Sequence, residues 1–253
     1  MKEIKSRPYK IPKIIHYCWF GDKPLPSLAI HCLESWKKYC PDYQIIQWNE
    51  KNFDINSSLY TAQAYKAKKF AFVSDYVRLW ALYYYGGIYV DTDLEIIKNI
   101  DEFLYYDFFS GFESNTHVPT AIMGAKKSHH LIEELLNDYD KDSFIKNNKF
   151  DLTPNTQRIT NYLIKKYNLI INNKNQVLGG DIYLFSNDYF SPKDITGIHL
   201  TDNSYTIHHF SGSWLSPRTK ITKNIKENIA KFIGQDSYYK LKQLKQRFFN
   251  IFK

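Results

Sequence analysis

Two aspartates separated by one residue, Asp91 and Asp93, close the run Gly86-Gly87-Ile88-Tyr89-Val90-Asp91-Thr92-Asp93. Strand side chains alternate with period two, so a strand ending here turns both carboxylates to one side. Such a pair can hold one hard divalent cation and leave positions open for diphosphate oxygens. The cation would neutralise charge growing on a leaving nucleoside diphosphate. An acidic turn capping a strand is the commoner meaning of D-x-D, but here an almost uncharged hydrophobic strand delivers the pair. The two glycines before it allow a sharp turn or a close backbone approach.

Upstream, Ser74-Asp75-Tyr76-Val77-Arg78 puts Asp75 and Arg78 on one helix face, three residues apart. Phe70, Phe72, Val73, Leu79, Trp80 and Leu82 make that helix apolar nearly all round. Charges on a buried helix need partners or a ligand. A guanidinium beside a carboxylate suits a substrate with both phosphate and hydroxyl groups. Near the end of the chain His208 and His209 are neighbours on a β-prone segment, so at most one of them faces any metal. Imidazole suits Mn²⁺ better than Mg²⁺. His16 follows Ile14-Ile15 on an apolar run and reads as a core histidine with its hydrogen bonds made. Asn155, Gln157 and Arg158 read first as a plain helix start after Pro154, and His199 has no partner visible in the sequence.

The elements that must position these residues alternate. Lys13–Phe20 is a buried strand, Pro26-Ser27 opens an amphipathic helix through Tyr39, and Tyr43–Trp48 is a second strand. A strand, a crossover helix and a strand predict parallel pairing in an α/β sheet. Residues 58–85 predict one helix stopped by Gly86-Gly87, leading into the strand Ile88–Val90. Strands at 105–112, 119–124, 181–185 and 205–210 and helices at 128–140 and 155–167 follow. The expected organisation is one domain over 1–217 and a basic helical tail over 218–253.

Composition excludes several classes. The chain has 253 residues, 43% hydrophobic and 24% charged, which excludes disorder and fibrous repeats. A chain of this length can bury roughly 70–75% of its unfolded surface, so no disulfide or metal is needed for folding. Cys18, Cys32 and Cys40 are odd in number and lack C-x-x-C spacing, which fits reduced thiols in a cytosolic setting. The opening residues lack an apolar signal-peptide core, and no apolar run approaches the ~20 residues of a membrane span. The formal charge of +8 is local: residues 218–253 hold ten basic and two acidic side chains. That asymmetry points to an anionic surface rather than to nucleic acid. From Ser237, Leu241, Leu244, Phe248 and Ile251 or Phe252 share a helix face flanked by Lys240, Lys242, Lys245, Gln246 and Arg247, a pattern for anionic lipid. The expected location is cytoplasmic, peripheral on the inner face of the cell membrane.

The run SDYVRLWALYYYGGIYVDTD at 74–93 resembles the core signature of family 32 glycosyltransferases and is similar to the catalytic domain of the large clostridial glucosylating toxins. IPKIIHYCWFG at 11–21 resembles the family's opening strand and TIHHFSGSW at 206–214 its closing motif. The resemblance implies a GT-A-type nucleotide-sugar-binding domain with a mixed, mainly parallel central sheet flanked by helices. It implies that Trp19 stacks on the nucleotide base, and that Asp75 and Arg78 bind donor sugar hydroxyls and the diphosphate side. Tyr89 and Asp91 would contact donor ribose or sugar, and Asp93 would ligate Mn²⁺ or Mg²⁺. His209 falls where the toxins place a carboxylate metal ligand, and Trp214 with Ser213 where the family reaches the leaving phosphate.

The activity so implied is metal-dependent, retaining transfer of a hexose or N-acetylhexosamine from a nucleotide diphosphate sugar, a UDP-sugar first. The acceptor would be a glycan or lipid-linked glycan, in bacterial surface or capsular polysaccharide synthesis. Nucleotidyl or phosphoryl transfer fits less well, lacking further carboxylates for two metals and a G-x-x-x-x-G-K loop. A non-catalytic carbohydrate-binding module would use the aromatics, 17% of the chain, but does not need Asp75, Arg78, Asp91 and Asp93 together. An effector that glycosylates a protein remains the third reading.

Overall fold

The computed structural model describes residues 8–113, 117–118, 121–212, 221–222, 225, 228–232, 234 and 237. The first crossover unit is as expected: β1 (Ile14–Cys18), α1 (Ser27–Tyr39) and β2 (Gln44–Trp48). Then come α2 (Leu59–Lys66), α3 (Phe70–Tyr85), β3 (Gly87–Val90) and β4 (Leu94–Ile96). The middle of the chain gives β5 (Phe108–Gly111), β6 (Ile122–Ala125), α4 (His130–Asp140) and the hairpin β7 (Ile145–Lys146) with β8 (Lys149–Phe150). It ends in α5 (Asn155–Tyr167), β9 (Gln176–Leu178), β10 (Ile182–Phe185), the short α6 (Asn187–Phe190) and β11 (Thr206–His208).

The main sheet has seven strands in the order β2-β1-β3-β6-β5-β10-β9. β1 pairs in parallel with β2 and β3, and β5 with β10, while β6 and β9 run antiparallel to their neighbours. Five strands therefore share one direction. This is the mixed α/β sheet expected from the sequence. β1 continues outward to β2 through α1, and the chain then returns to the other side of β1 to form β3. The crevice at such a reversal, beyond the carboxyl ends of the strands, is where open α/β sheets bind ligands.

Period-two alternation divides the core. Ile15, Tyr17, Ile88 and Val90 pack on the side of α1 with Cys32 and Trp36. Cys18 and Tyr89 pack on the other side, with Val73 and Val77 of α3. Trp36 is fully buried, and its indole Nε1 donates to Leu94 O at 2.7 Å, while Ser35 Oγ accepts from Ile96 N at 3.0 Å. Helix α1 thereby fixes β4, which begins directly after Asp93. Residues 58–85 are not one helix. Lys68 takes a left-handed φ of 55°, and Ala67, Lys68 and Lys69 direct their amides back to Gln63, Tyr65 and Ala64. The sequence has no glycine or proline there to announce a stop, so tertiary packing sets the break.

Gly86 and Gly87 carry φ of 67° and 108°. A Cβ on Gly87 would lie 2.7 Å from Ile14 O, so only glycine lets β3 start against β1. His16, also fully buried, stands beside this turn: its Nε2 lies 2.7 Å from Gly86 O and its Nδ1 accepts from Trp48 Nε1 at 3.2 Å. One ring nitrogen donates and the other accepts, which is the neutral imidazole. The expected core histidine is confirmed. No helix among the described residues is long and apolar enough to cross a membrane.

Burial lowers the His16 pKa to about 4, against a smaller opposing effect of Gly86 O. The unfolded chain therefore takes up this proton first, and His16 contributes stability that is complete above about pH 6.5 and lost as pH falls toward 4. Urea titrations should show wild type losing roughly 3 kcal/mol relative to His16→Gln between pH 7 and 4. Parallel pH curves for the two proteins would exclude this role.

Candidate functional site

The site is built from the carboxyl ends of β1, β3 and β5, the inward face of α3 and the end of β11. Asp75 and Arg78 are both buried on α3. Arg78 Nη2 donates to Asp75 Oδ1 at 2.9 Å, and Nη1 lies 3.2 Å from Asp91 Oδ1. Its Nε donates to Ser74 O at 3.3 Å, and its Cζ stands 4.5 Å from the Tyr89 ring centroid. Tyr89 completes the set by donating its hydroxyl to Asp91 Oδ1 at 3.0 Å. One guanidinium thus joins helix and strand end. Burial pushes the Asp75 carboxyl up to about 7; Arg78 pulls it back, and the Asp91 charge pushes the same way as burial.

Beyond β3 the chain turns sharply, with Leu94 N donating to Asp91 O at 3.0 Å. Asp91 is anchored by its amide to Ala121 O at 2.8 Å. Asp93 Oδ2 accepts Ser211 N at 2.8 Å, and Oδ1 lies 3.4 Å from His208 Nε2. Burial alone would raise the Asp93 carboxyl, but the hydrogen bond and charge of His208, with Ser211, hold it well below the usual carboxylate range. To bring Ser211 back, Phe210 adopts a left-handed φ of 53°, a conformation costing about 1–2 kcal/mol in a non-glycine residue.

Asp91, Asp93 and His208 each offer a ligand atom, all within 4.8 Å of one another. Two carboxylates and an imidazole fit a divalent cation, and the nitrogen donor favours Mn²⁺ over Mg²⁺. The expected ligand His209 is not in this group. His208 is the last residue of β11, opposite Leu94, and its side chain turns to Asp93. The next residue alternates to the other side, so His209 Nε2 meets Glu95 Oε2 at 2.9 Å.

Trp19 follows β1, and its Nε1 donates to Lys23 O at 2.6 Å. With Gly21, Lys23, Gln47, Asn49 and Tyr65 it lines a cleft of ≈ 430 Å³ at the same end of the sheet. Trp19 is therefore a partly exposed wall rather than core filling. Ser213 and Trp214 lie outside the described residues, as does the tail pattern from 237 onward apart from Ser237.

Asn155, at the start of α5, is buried, accepts Tyr139 OH at 3.1 Å, and faces Asp75. Arg158 is committed to Asp142 at 2.7 Å and Asp151 at 2.6 Å, a structural role. His199 pairs with Asp194 at 3.1 Å on an exposed loop. Glu113, two residues past β5, was not singled out from the sequence, yet its carboxylate reaches His208. Only the position of a lone acid just after a hydrophobic strand could have flagged it.

A second group, His129, His130 and Asp181, lies at the amino end of β10, at the opposite end of the sheet from the carboxyl ends that carry Asp91 and Asp93. Leu131 N donates to His129 Nδ1 at 3.2 Å, which leaves the ring proton on Nε2, 3.4 Å from Asp181 Oδ2. A protonated Nε2 has no lone pair for a metal, so His129 reads as a neutral helix cap beside Asp181.

A family model described as glycosyltransferase sugar-binding region containing DXD motif matches residues 26–109. Inositol phosphoceramide mannosyltransferase 3 of Schizosaccharomyces pombe is 25% identical over 142 residues, 53% of this chain and 38% of that protein. An uncharacterized glycosyltransferase of Acanthamoeba polyphaga mimivirus is 26% identical over 86% of this chain and 89% of its own length. Among solved structures, the PaToxG glycosyltransferase aligns with a TM-score of 0.47 at 19% identity, covering 64% of this chain and 72% of that one. The chain spans about two-fifths of the length of the yeast relative.

Arg78→Met should cost about 3–5 kcal/mol, because it leaves the buried Asp75 without its partner. Adding Asp75→Asn should restore more than about 1 kcal/mol of that loss, read by chemical denaturation of the four proteins in the cycle. Strict additivity would mean that the pair does not organise this seam.

Proposed function

We propose that this chain, which carries a DXD-type glycosyltransferase sugar-binding region, transfers a hexose or N-acetylhexosamine from a nucleotide diphosphate sugar to a glycan hydroxyl. The observation carrying this reading is the convergence of Asp91, Asp93 and His208 within 4.8 Å, beside a buried Arg78 that already spans Asp75 and Asp91. A divalent cation on Asp91, Asp93 and His208, Mn²⁺ by donor type, would supply positive charge where the departing nucleoside diphosphate becomes negative.

The protein's own groups divide the remaining work. Trp19 offers an aromatic wall for the base, in a cleft at the carboxyl end of β1. Arg78 holds a fixed cation at the sugar–diphosphate end, so stabilisation there is electrostatic and already in place before reaction. Asp75 and Asn155 can take sugar hydroxyls at the bottom of the site. No carboxylate is assigned as a nucleophile; transfer on the leaving-group face, with retention of configuration, is the working mechanism. Ser213 and Trp214 are proposed to reach the leaving phosphate.

The donor is proposed to be a UDP-sugar first. The mannosyltransferase names of the yeast relatives make GDP-mannose the comparison. Surface or capsular polysaccharide is the proposed product. Residues 218–253 are proposed as a separate tail that docks on an anionic membrane surface. Supporting this are its ten basic side chains against two acidic and the exposed Ile221, Ile225 and Ile229 at four-residue spacing.

Purified chain incubated with UDP-glucose, UDP-galactose, UDP-N-acetylhexosamines and GDP-mannose tests the reading. With Mn²⁺, one donor should release nucleoside diphosphate; EDTA should abolish release, and Asp93→Asn should lower it about 100-fold or more. Glycan binding with no turnover of any donor would favour the carbohydrate-binding module instead. An inverted product anomer in the NMR spectrum would overturn the retaining mechanism alone.

A further inference from the structure

We infer that Glu113 is the positioning residue of the cation site: its carboxylate accepts from His208 Nδ1–H and so leaves the Nε2 lone pair facing Asp91 and Asp93. The inference rests on the metal-dependent reading above and adds a residue that neither the D-x-D pattern nor the closing motif contains.

His208 Nδ1 is buried and makes no hydrogen bond among the described residues. The carboxylate facing it is Glu113, with Oε1 at 3.7 Å. A shift of less than about 1 Å in the Glu113 side chain brings this contact to hydrogen-bond length. Glu113 cannot drift far. Phe112 N is tied to Phe185 O at 2.8 Å, and Glu113 N to His117 O at 2.9 Å. Phe210 packs against the imidazole, with ring centroids 3.9 Å apart. The ring stands between two carboxylates, Asp93 at 3.4 Å from Nε2 and Glu113 at 3.7 Å from Nδ1.

That placement matters because a ring that ligates through Nε2 gives up that proton to solvent, becomes neutral, and must keep its one remaining proton on Nδ1. With Asp93 as the only acceptor, the proton would sit on Nε2, and the ring could not ligate. A second carboxylate at Nδ1 stabilises the other tautomer, which leaves Nε2 free. Metal-bound histidines usually donate their second N–H to a carboxylate or carbonyl, and loss of such a partner typically weakens metal affinity 10–100-fold. His117 and the charges of Asp91 and Asp93 also face Glu113, but no hydrogen bond from its side chain competes for His208 among the described residues.

The test is a titration of the full chain with Mn²⁺, followed by electron paramagnetic resonance, on wild type, Glu113→Gln, His208→Gln and the double variant. Glu113→Gln should bind Mn²⁺ about 10–100-fold more weakly. In the His208→Gln background the same change should have almost no effect, because Glu113 acts through that ring. Independently of any variant, long-range ¹H–¹⁵N spectra of the Mg²⁺-loaded wild type should show His208 protonated at Nδ1. Wild-type binding with an undiminished Glu113→Gln affinity, or a His208 Nε2–H tautomer, would overturn this inference and leave the proposed function standing. Failure of wild type to bind either cation would overturn both.

Discussion

The buried guanidinium of Arg78 is the constraint on which the rest of this site depends. A charge taken out of water between a helix and a strand end must be met from more than one side. Arg78 is met by Asp75 on its own helix and by Asp91 beyond β3, with the Tyr89 ring beneath it. Moving either carboxylate removes one of the two negative charges that meet the guanidinium. The ion pair therefore fixes the distance between α3 and the strand that delivers Asp91, which sheet packing alone would leave adjustable by a rotamer.

The turn between them must be equally exact in shape. α3 ends at Tyr85 and β3 starts at Gly87, so a single residue, Gly86, separates helix from strand. The reversal is possible because Gly86 and Gly87 both take positive φ and because Gly87 approaches Ile14 O more closely than any side chain permits. His16 closes this arrangement from β1 by its contact with Gly86 O. Its neutral state matters: a protonated ring could not accept from Trp48 Nε1, and the indole would lose its partner.

The sequence makes much of this legible. The uncharged strand running into Asp91 and Asp93, the two charges on an otherwise apolar α3 and the double glycine all follow from local rules of burial and backbone freedom. So does the parallel β1–α1–β2 opening. What sequence reasoning could not decide depends on contacts between distant segments. Alternation showed that only one of His208 and His209 could face the carboxylates. The choice of His208 is made by the register of β11 on β4, which pairs His208 with Leu94. Glu113 and Asn155 reach the site from β5 and α5, and nothing in their own neighbourhoods distinguishes them from an ordinary loop acid and a helix start. The break at Lys68 has the same origin, since residues 58–85 carry no local stop signal.

The use of individual oxygens separates the two aspartates further than their shared motif suggests. Asp91 Oδ1 already receives Arg78 and the Tyr89 hydroxyl, so the protein has spent that oxygen on holding the seam. Asp93 is engaged differently, by the Ser211 amide on one oxygen and the His208 ring on the other. Hydrogen bonds and the ring's charge keep Asp93 ionised despite its burial, whereas Asp91 is tied to a permanent cation. When a divalent cation enters, His208 would release its Nε2 proton to solvent and leave Asp93 Oδ1, while Glu113 goes on accepting from Nδ1–H. Asp91 can give up Arg78 only by removing one of the two carboxylates that meet a buried guanidinium. This asymmetry supports the proposal that Asp93 and His208 would ligate first, with Asp91 joining the proposed cation site to α3.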